Sequence, residues 1–445
     1  MTQLALLASL QAAAPAAVVP ADTAWMLVAT ALVLLMTPAL AFFYGGLVRS
    51  KNSLNTMMMS FVSLGVVGIV LAVLAYSLAF SEGNAIIGGA TNAFLDGVGT
   101  EAKGTIPHVL FLAYQGTFAI ITAALISGAV VERMRFGPYL AFIALWTLLV
   151  YAPVAHWVWG GGWLMTRGVL DFAGGTVVHI NAGISALVAA LVLGARKDYG
   201  RQAILPHNVP FVLLGAGLLW FGWFGFNGGS ALAANELAAL AFTNTFLAPM
   251  ATMVAWVLLD YFRTGRATAV GGATGIVVGL VAITPAAGFV SPTGALLLGG
   301  IAAFPSYFAI VYRSRTRLDD SLDVFAGHGI GGMTGALLTG VFAQKAWNAA
   351  GSDGLLAGNA AQLGVQALGV AASMVYAGIM TFVILKLLGL VTALRGVART
   401  EGLGMDVSQH GEEAYTNGEG SILVIPDAVS TVSPVPALHP HPASR

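Results

Sequence analysis

Two histidines, His179 and His328, lie in stretches of sequence that are otherwise almost free of charge. An ionisable side chain within a long apolar run needs a hydrogen-bond partner or an aqueous path. A neutral imidazole carries one donor and one acceptor nitrogen. Two facing rings can therefore bond each other and still offer a group to a passing solute. Bonds to backbone or Ser/Thr groups would satisfy them equally well, and the residues alone leave both readings open. No third His, Cys or carboxylate accompanies them at ligand spacing, so neither a metal centre nor another cofactor is expected.

Each histidine follows an aspartate by eight residues: Asp171 before His179 in DFAGGTVVH, and Asp320 before His328 in DSLDVFAGH. A carboxylate that starts a helix accepts backbone N–H bonds and meets the positive end of the helix dipole. That capping role is the first expectation for Asp171; a carboxylate near an outer vestibule would also favour the approach of cations. Asp320 has the corresponding place, with Asp319 and Asp323 set to offset nearby arginines.

The aromatic residues form a second group. HWVWGGGW brings together His156, Trp157, Trp159 and Trp163. Tryptophans of this kind anchor helices at membrane interfaces, although an indole face also binds a desolvated cation. Tyr114 with Phe118, and Phe226 with Ser230, are spaced i and i+4 and so share a helix face. Ordinary packing explains each pair taken alone.

These residues must be positioned by membrane-spanning helices. The 445 residues are 58% hydrophobic and 9% charged, against about 25% charged in soluble domains. The deficit runs along the whole chain, which excludes a soluble protein with one anchor. The zero net charge argues against a nucleic-acid partner, and the absence of cysteine rules out disulfides and thiolate metal sites. Windows of about 20 apolar residues fall near 24–47, 54–80, 106–131, 138–158, 172–195, 206–227, 241–262, 267–287, 292–312, 325–344 and 362–390. Backbone groups in hydrocarbon must be satisfied within each segment, so the expected fold is all-α with eleven transmembrane helices. Fourteen Lys and Arg residues fall in one set of alternate loops or after the last span, against Lys103, Arg167 and Lys345 in the other. That asymmetry puts the N-terminus outside and the C-terminus inside.

Residues 1–21 read as a signal peptide or extracellular leader, although the positive n-region is missing. The membrane domain covers 22–391, a cytoplasmic tail 392–420, and a Pro/Ser/Ala-rich extension 421–445 reads as disordered. The first Asp–His pair enters the fifth span from outside and the second enters the tenth from inside. An inverted repeat of helices 1–5 and 6–10 would produce this, with the solute path at the interface.

FFYGGLVRSKN, QGTFAIITAALISGAVVERMRF, HWVWGGGWL, DFAGGTVVHINAG, WFGFNGGS, DDSLDVFAGHGIGGMTG and GLGMDVSQHGEEAY together resemble the ammonium transporter family (Amt/Mep, related to Rh proteins) over roughly residues 24–416. The resemblance implies a homotrimer in the inner (plasma) membrane with one pore per subunit. It makes Trp159, Phe118 and Ser230 the outer ammonium site, and Phe118 with Phe226 the gate beneath it. His179 and His328 become the pore pair, and Asp171 the structural carboxylate. Tyr114 stands in the outer site where many bacterial members have phenylalanine. The tail string resembles a segment that senses a PII-type signalling protein. The implied activity is transport of ammonium, or methylammonium as its analogue, by deprotonation outside and conduction of ammonia, with possible separate transfer of the proton. An ammonium sensor of the same fold and an Rh-type gas channel are the alternatives; an enzyme is not expected, for want of a nucleophile or metal set near the histidines.

Overall fold

A computed structural model describes residues 17–415. Most of the expected leader (residues 1–16), the end of the tail (416–420) and the extension 421–445 lie outside the described residues.

The chain is almost entirely helical. α1 is Pro20–Leu47, α2 Ser53–Phe80 with a widened turn at Leu71–Ala75, and α3 His108–Val130. α4 begins at Phe136, widens at Thr147–Tyr151 and continues through Ala152–Trp159. α5 runs Gly175–Leu193, α6 Val209–Gly228, α7 Glu236–Thr264, α8 Ala269–Ile283 and α9 Pro292–Arg313. α10 joins Phe325–Ile330 to Gly331–Phe342, and α11 is Ala361–Val391. Two short helices follow, α12 Ala398–Leu403 and α13 Met405–His410. A small antiparallel hairpin, β1 Ala102–Lys103 and β2 Ile106–Pro107, precedes α3.

Among the described residues, nine helices are long and apolar enough to cross a membrane, and Ala269–Ile283 is a shorter apolar helix. Several starts are written in capping residues. Asn208, Asn235, Thr268 and Ser291 each accept the backbone N–H three positions on, which satisfies a donor that the helix itself cannot. Pro210 and Pro292 sit in the first turn of α6 and α9, where the missing N–H costs nothing.

α3 is the most enclosed helix, packed among α1, α2 and α5, while α6 lies along α1. α7, α8 and α9 pack together on the other side. α5 crosses the start of α10 in backbone contact, where Gly183 meets Gly329. A Cβ at Gly183 would fall on the Gly329 backbone, so only glycine permits this approach. The crossing sets His179 and His328 side by side.

Candidate functional site: a column of aromatic and imidazole rings

The stripe Phe111, Tyr114, Gln115 and Phe118 follows i, i+3, i+4, i+7 spacing and so occupies one face of α3. Together with Trp159 from α4 and Ser230 from the turn after α6, it lines a cavity of about 210 Å³. The structure thus brings Trp159, Phe118, Ser230 and Tyr114 together. Trp159 meets Phe118 edge-on at 6.0 Å between centroids, and its indole N–H donates to the Asp171 carbonyl at 2.9 Å. That bond fixes the ring's orientation. Ser230 Oγ donates to the Phe226 carbonyl at 2.8 Å, which leaves its lone pairs as acceptors.

Tyr114 fills the floor beside them. Its hydroxyl lies 2.8 Å from the Phe226 carbonyl, 3.0 Å from that of Gly225 and 3.3 Å from Ser230 Oγ. It is therefore tied to the C-terminal turn of α6, at carbonyls that also accept the Gly229 N–H and the Ser230 hydroxyl.

The Asp171 carboxylate accepts four backbone N–H groups, from Gly174, Gly175, Thr176 and Val177, at 2.7 to 3.1 Å. Gly174, at φ 113°, turns the chain back so that these donors converge. The carboxylate is buried and fully occupied, so it holds α5 in place and does not face the cavity. Asp320 repeats the arrangement only in part: one oxygen accepts the Phe325 N–H at 2.7 Å, and the other has no protein partner among the described residues. Asp319 pairs with Arg196 and Arg133, and Asp323 with Arg313.

Beneath the cavity, Phe118 and Phe226 stack at 4.1 Å and 20°. Both are buried and close the way down. Below them His179 lies over Trp223 at 5.4 Å and reaches His328, the two Nδ1 atoms being 3.2 Å apart. One Nδ1 must donate and the other accept, so at least one ring is neutral. If both are neutral, one Nε2 carries a proton and the other is a bare acceptor. His179 Nε2 has no protein partner among the described residues. The space between Phe226 and the pair is apolar and about 10 Å³, room for about one water-sized molecule. His328 then borders a second cavity, of about 520 Å³, at the opposite end of the column, also lined by Tyr44, Arg196, Tyr199, Arg313 and Asp323.

A search of family models matches the Ammonium Transporter Family over residues 24–415. The chain belongs to the ammonium transporter family. An ammonium transporter of Bacillus subtilis is 49% identical over 400 residues, 88% of this chain and 98% of that protein. One from Aquifex aeolicus is 51% identical over 401 residues, covering 88% and 93%. Among solved structures, Mep2 of Saccharomyces cerevisiae superposes with a TM-score of 0.83 at 37% identity, covering 91% of this chain and 93% of that one. A structure described as a sensor Amt protein gives a TM-score of 0.81 at 30% identity, covering 88% and 98%. This family member is accordingly a helical, multi-pass membrane protein for ammonium transport.

Sequence reasoning missed Gln115, Phe111 and Trp223. Gln115 borders the outer cavity with a buried Oε1 that has no protein partner among the described residues, an acceptor suited to an N–H donor. Its signal was the helical stripe from Phe111 to Phe118. Trp223 carried no such signal, since it sits in the uniformly apolar run LLWFGWFGF. His156, by contrast, lies outside the column: both its ring nitrogens rest on carbonyls, of Ala79 and Asn84.

Proposed function

We propose that ammonium is recruited at Trp159, Phe118 and Ser230, with Tyr114 in the floor of the site. It gives a proton to solvent water at the cavity mouth, leaving hydronium outside, and passes as ammonia between Phe118 and Phe226 to the His179–His328 pair. The observation that carries this reading is the single-file order of rings between an outer and an inner cavity. Indole and phenyl faces attract a desolvated cation, and the Ser230 lone pairs accept a directed N–H bond, which potassium cannot donate. Below the stacked rings the lining is apolar, so a full charge would meet a desolvation cost of several kcal/mol. A neutral solute avoids most of it. The one-molecule space above the imidazoles offers either a donor or an acceptor nitrogen to ammonia.

In this reading α1 to α11 all cross the membrane, with the N-terminus outside and α12–α13 in the cytoplasm. The inverted repeat has support in the matching ends of α5 and α10, each of which opens with a widened turn that contains its histidine. The family's trimer, and a PII-type partner for the tail, belong to the same proposal.

Methylammonium uptake in cells lacking other transporters tests it. His179→Ala and Trp159→Leu should each lower uptake at least several-fold, and unchanged uptake in both would falsify the pore assignment. The likeness to a sensor Amt protein suggests a second reading, in which ammonium binds without useful flux. Saturable uptake by the wild type decides against it.

A further inference from the structure

Lys103 lies in the β1–β2 hairpin, on the side of the molecule where the outer cavity opens. Its ammonium sits over the Phe111 ring at 4.7 Å and the Tyr76 ring at 5.7 Å from the centroids. The Tyr76 hydroxyl and His108 Nε2 are each 3.5 Å from it. Tyr76 and His108 are themselves joined at 2.6 Å, and His108 Nδ1 meets Glu101 at 3.0 Å. The lysine is thus lodged on a polar and aromatic shelf whose geometry the hairpin fixes. Phe111 also lines the outer cavity.

We propose that Lys103 is a tethered alkylammonium that competes with the solute for the aromatic wall of the outer vestibule and so weakens its affinity for ammonium. This rests on the reading of that cavity as a cation-recruiting site. Two physical effects act in the same direction. A ring whose quadrupole already faces one cation has less to offer a second. The charge also repels directly: Phe111 and Phe118, seven residues apart on α3, are about 10 Å apart along the axis, within or near one Debye length at physiological salt. Glu101 is the opposite charge on the same shelf, through His108. It is more than half exposed, with its side chain turned to His108, so solvent screens most of its compensation.

The test is the methylammonium concentration that half-saturates uptake, measured at low and high ionic strength in cells or vesicles holding the full chain. Lys103→Gln, or Lys103→Met as a second neutral variant, should lower it about two- to fifteenfold at low salt, the span of Coulomb repulsion at this separation between aqueous and protein-surface screening. Maximal rate should hold, and the difference should shrink as salt rises. Lys103→Arg, which keeps the charge, should behave as wild type. An unchanged or raised half-saturating concentration in both neutral variants overturns the proposal. So does a Lys103→Arg variant that matches Lys103→Gln, because packing and not charge would then be at work. Trp159→Leu separates the two levels: if it leaves uptake intact, the outer-site reading fails. If it abolishes uptake while the neutral Lys103 variants match wild type, only the role of Lys103 fails.

Discussion

Tyr114 shows how one oxygen atom can retune a site whose shape stays the same. Its hydroxyl holds the carbonyls of Gly225 and Phe226 and approaches Ser230 Oγ. Phenylalanine would keep the ring against Phe118, at 4.9 Å between centroids, and leave the Phe226 carbonyl to Ser230 and the Gly225 carbonyl to the Gly229 N–H. A typical hydrogen bond contributes about 0.5–1.5 kcal/mol net, so Tyr114→Phe should shift the half-saturating methylammonium concentration by about two- to tenfold. Maximal uptake should change little, because the Phe118–Phe226 stack is untouched. A concentration dependence identical to wild type would remove the hydroxyl from the outer site. The rings of this site were legible in the sequence as separate pairs: Tyr114 with Phe118, and Phe226 with Ser230. Their convergence was not, because i and i+4 spacing places two side chains on a face without saying which helix that face meets. Only the resemblance to a family joined them, and the cavity now gives that joining a geometry.

At the scale of the element, α5 and α10 carry His179 and His328 on widened turns that no residue pattern announces. Both turns contain glycine: one in GTVVHI and two in FAGHGI. Small residues suit such turns but also suit close helix packing, so the sequence could not separate the two uses. The helix spans themselves were readable to within a few residues, since each is a long apolar run bounded by polar or charged residues. The Gly183–Gly329 crossing was invisible for the same reason as the widened turns, in a chain with 56 glycines. Its importance is steric. A side chain at Gly183 must push α5 away from α10, and the imidazoles, 3.2 Å apart at Nδ1, separate with it. Gly183→Val should therefore abolish methylammonium uptake, and should lower the melting temperature in detergent, overpacking costing about 1–3 kcal/mol. Ser185, two residues along, faces the Trp146 and Thr381 side chains with which it bonds; Ser185→Ala should reduce stability while uptake per folded molecule persists. Normal uptake by a folded Gly183→Val protein would show that the crossing does not position the histidines.

Across the whole molecule, charge is scarce and most of the basic residues fall in one set of loops, where a cluster joins segments far apart in sequence. Glu132 accepts bonds from Arg49 and Arg196, Arg196 continues to Asp319, and Asp319 is near Arg133. The sequence placed these arginines in one set of loops and foresaw offsets for them at Asp319 and Asp323. It gave no hint of Glu132, which lies at φ 66° in a left-handed turn after α3. A glutamate held there carries backbone strain of about 1–3 kcal/mol, which its ion pairs offset. Burial alone would raise the Glu132 pKa, but Arg196 and Arg49 outweigh it and hold the carboxyl below its ordinary 4.5. Asp319 behaves alike: burial is outweighed by Arg196 and Arg133, and its pKa falls below 3.8. The sign of the linkage follows from these depressions. The folded protein binds these protons less readily than the unfolded chain, so the stabilisation is complete above the ordinary carboxylate range. It is lost as pH falls through that range toward the depressed values. Thermal melting in detergent should accordingly show the cluster's full stabilisation, with no pH dependence from it, between pH 7 and pH 5, taken as roughly the upper edge of carboxylate titration, and a steep fall below about pH 4. Glu132→Gln leaves Arg49 and Arg196 facing a neutral amide, a change that costs about 3–5 kcal/mol when a buried pair loses one partner. It should lower the melting temperature at neutral pH and flatten the acid fall that remains. A Glu132→Gln protein that melts like wild type at pH 7 would mean that the helix packing, not this cluster, holds these loops together.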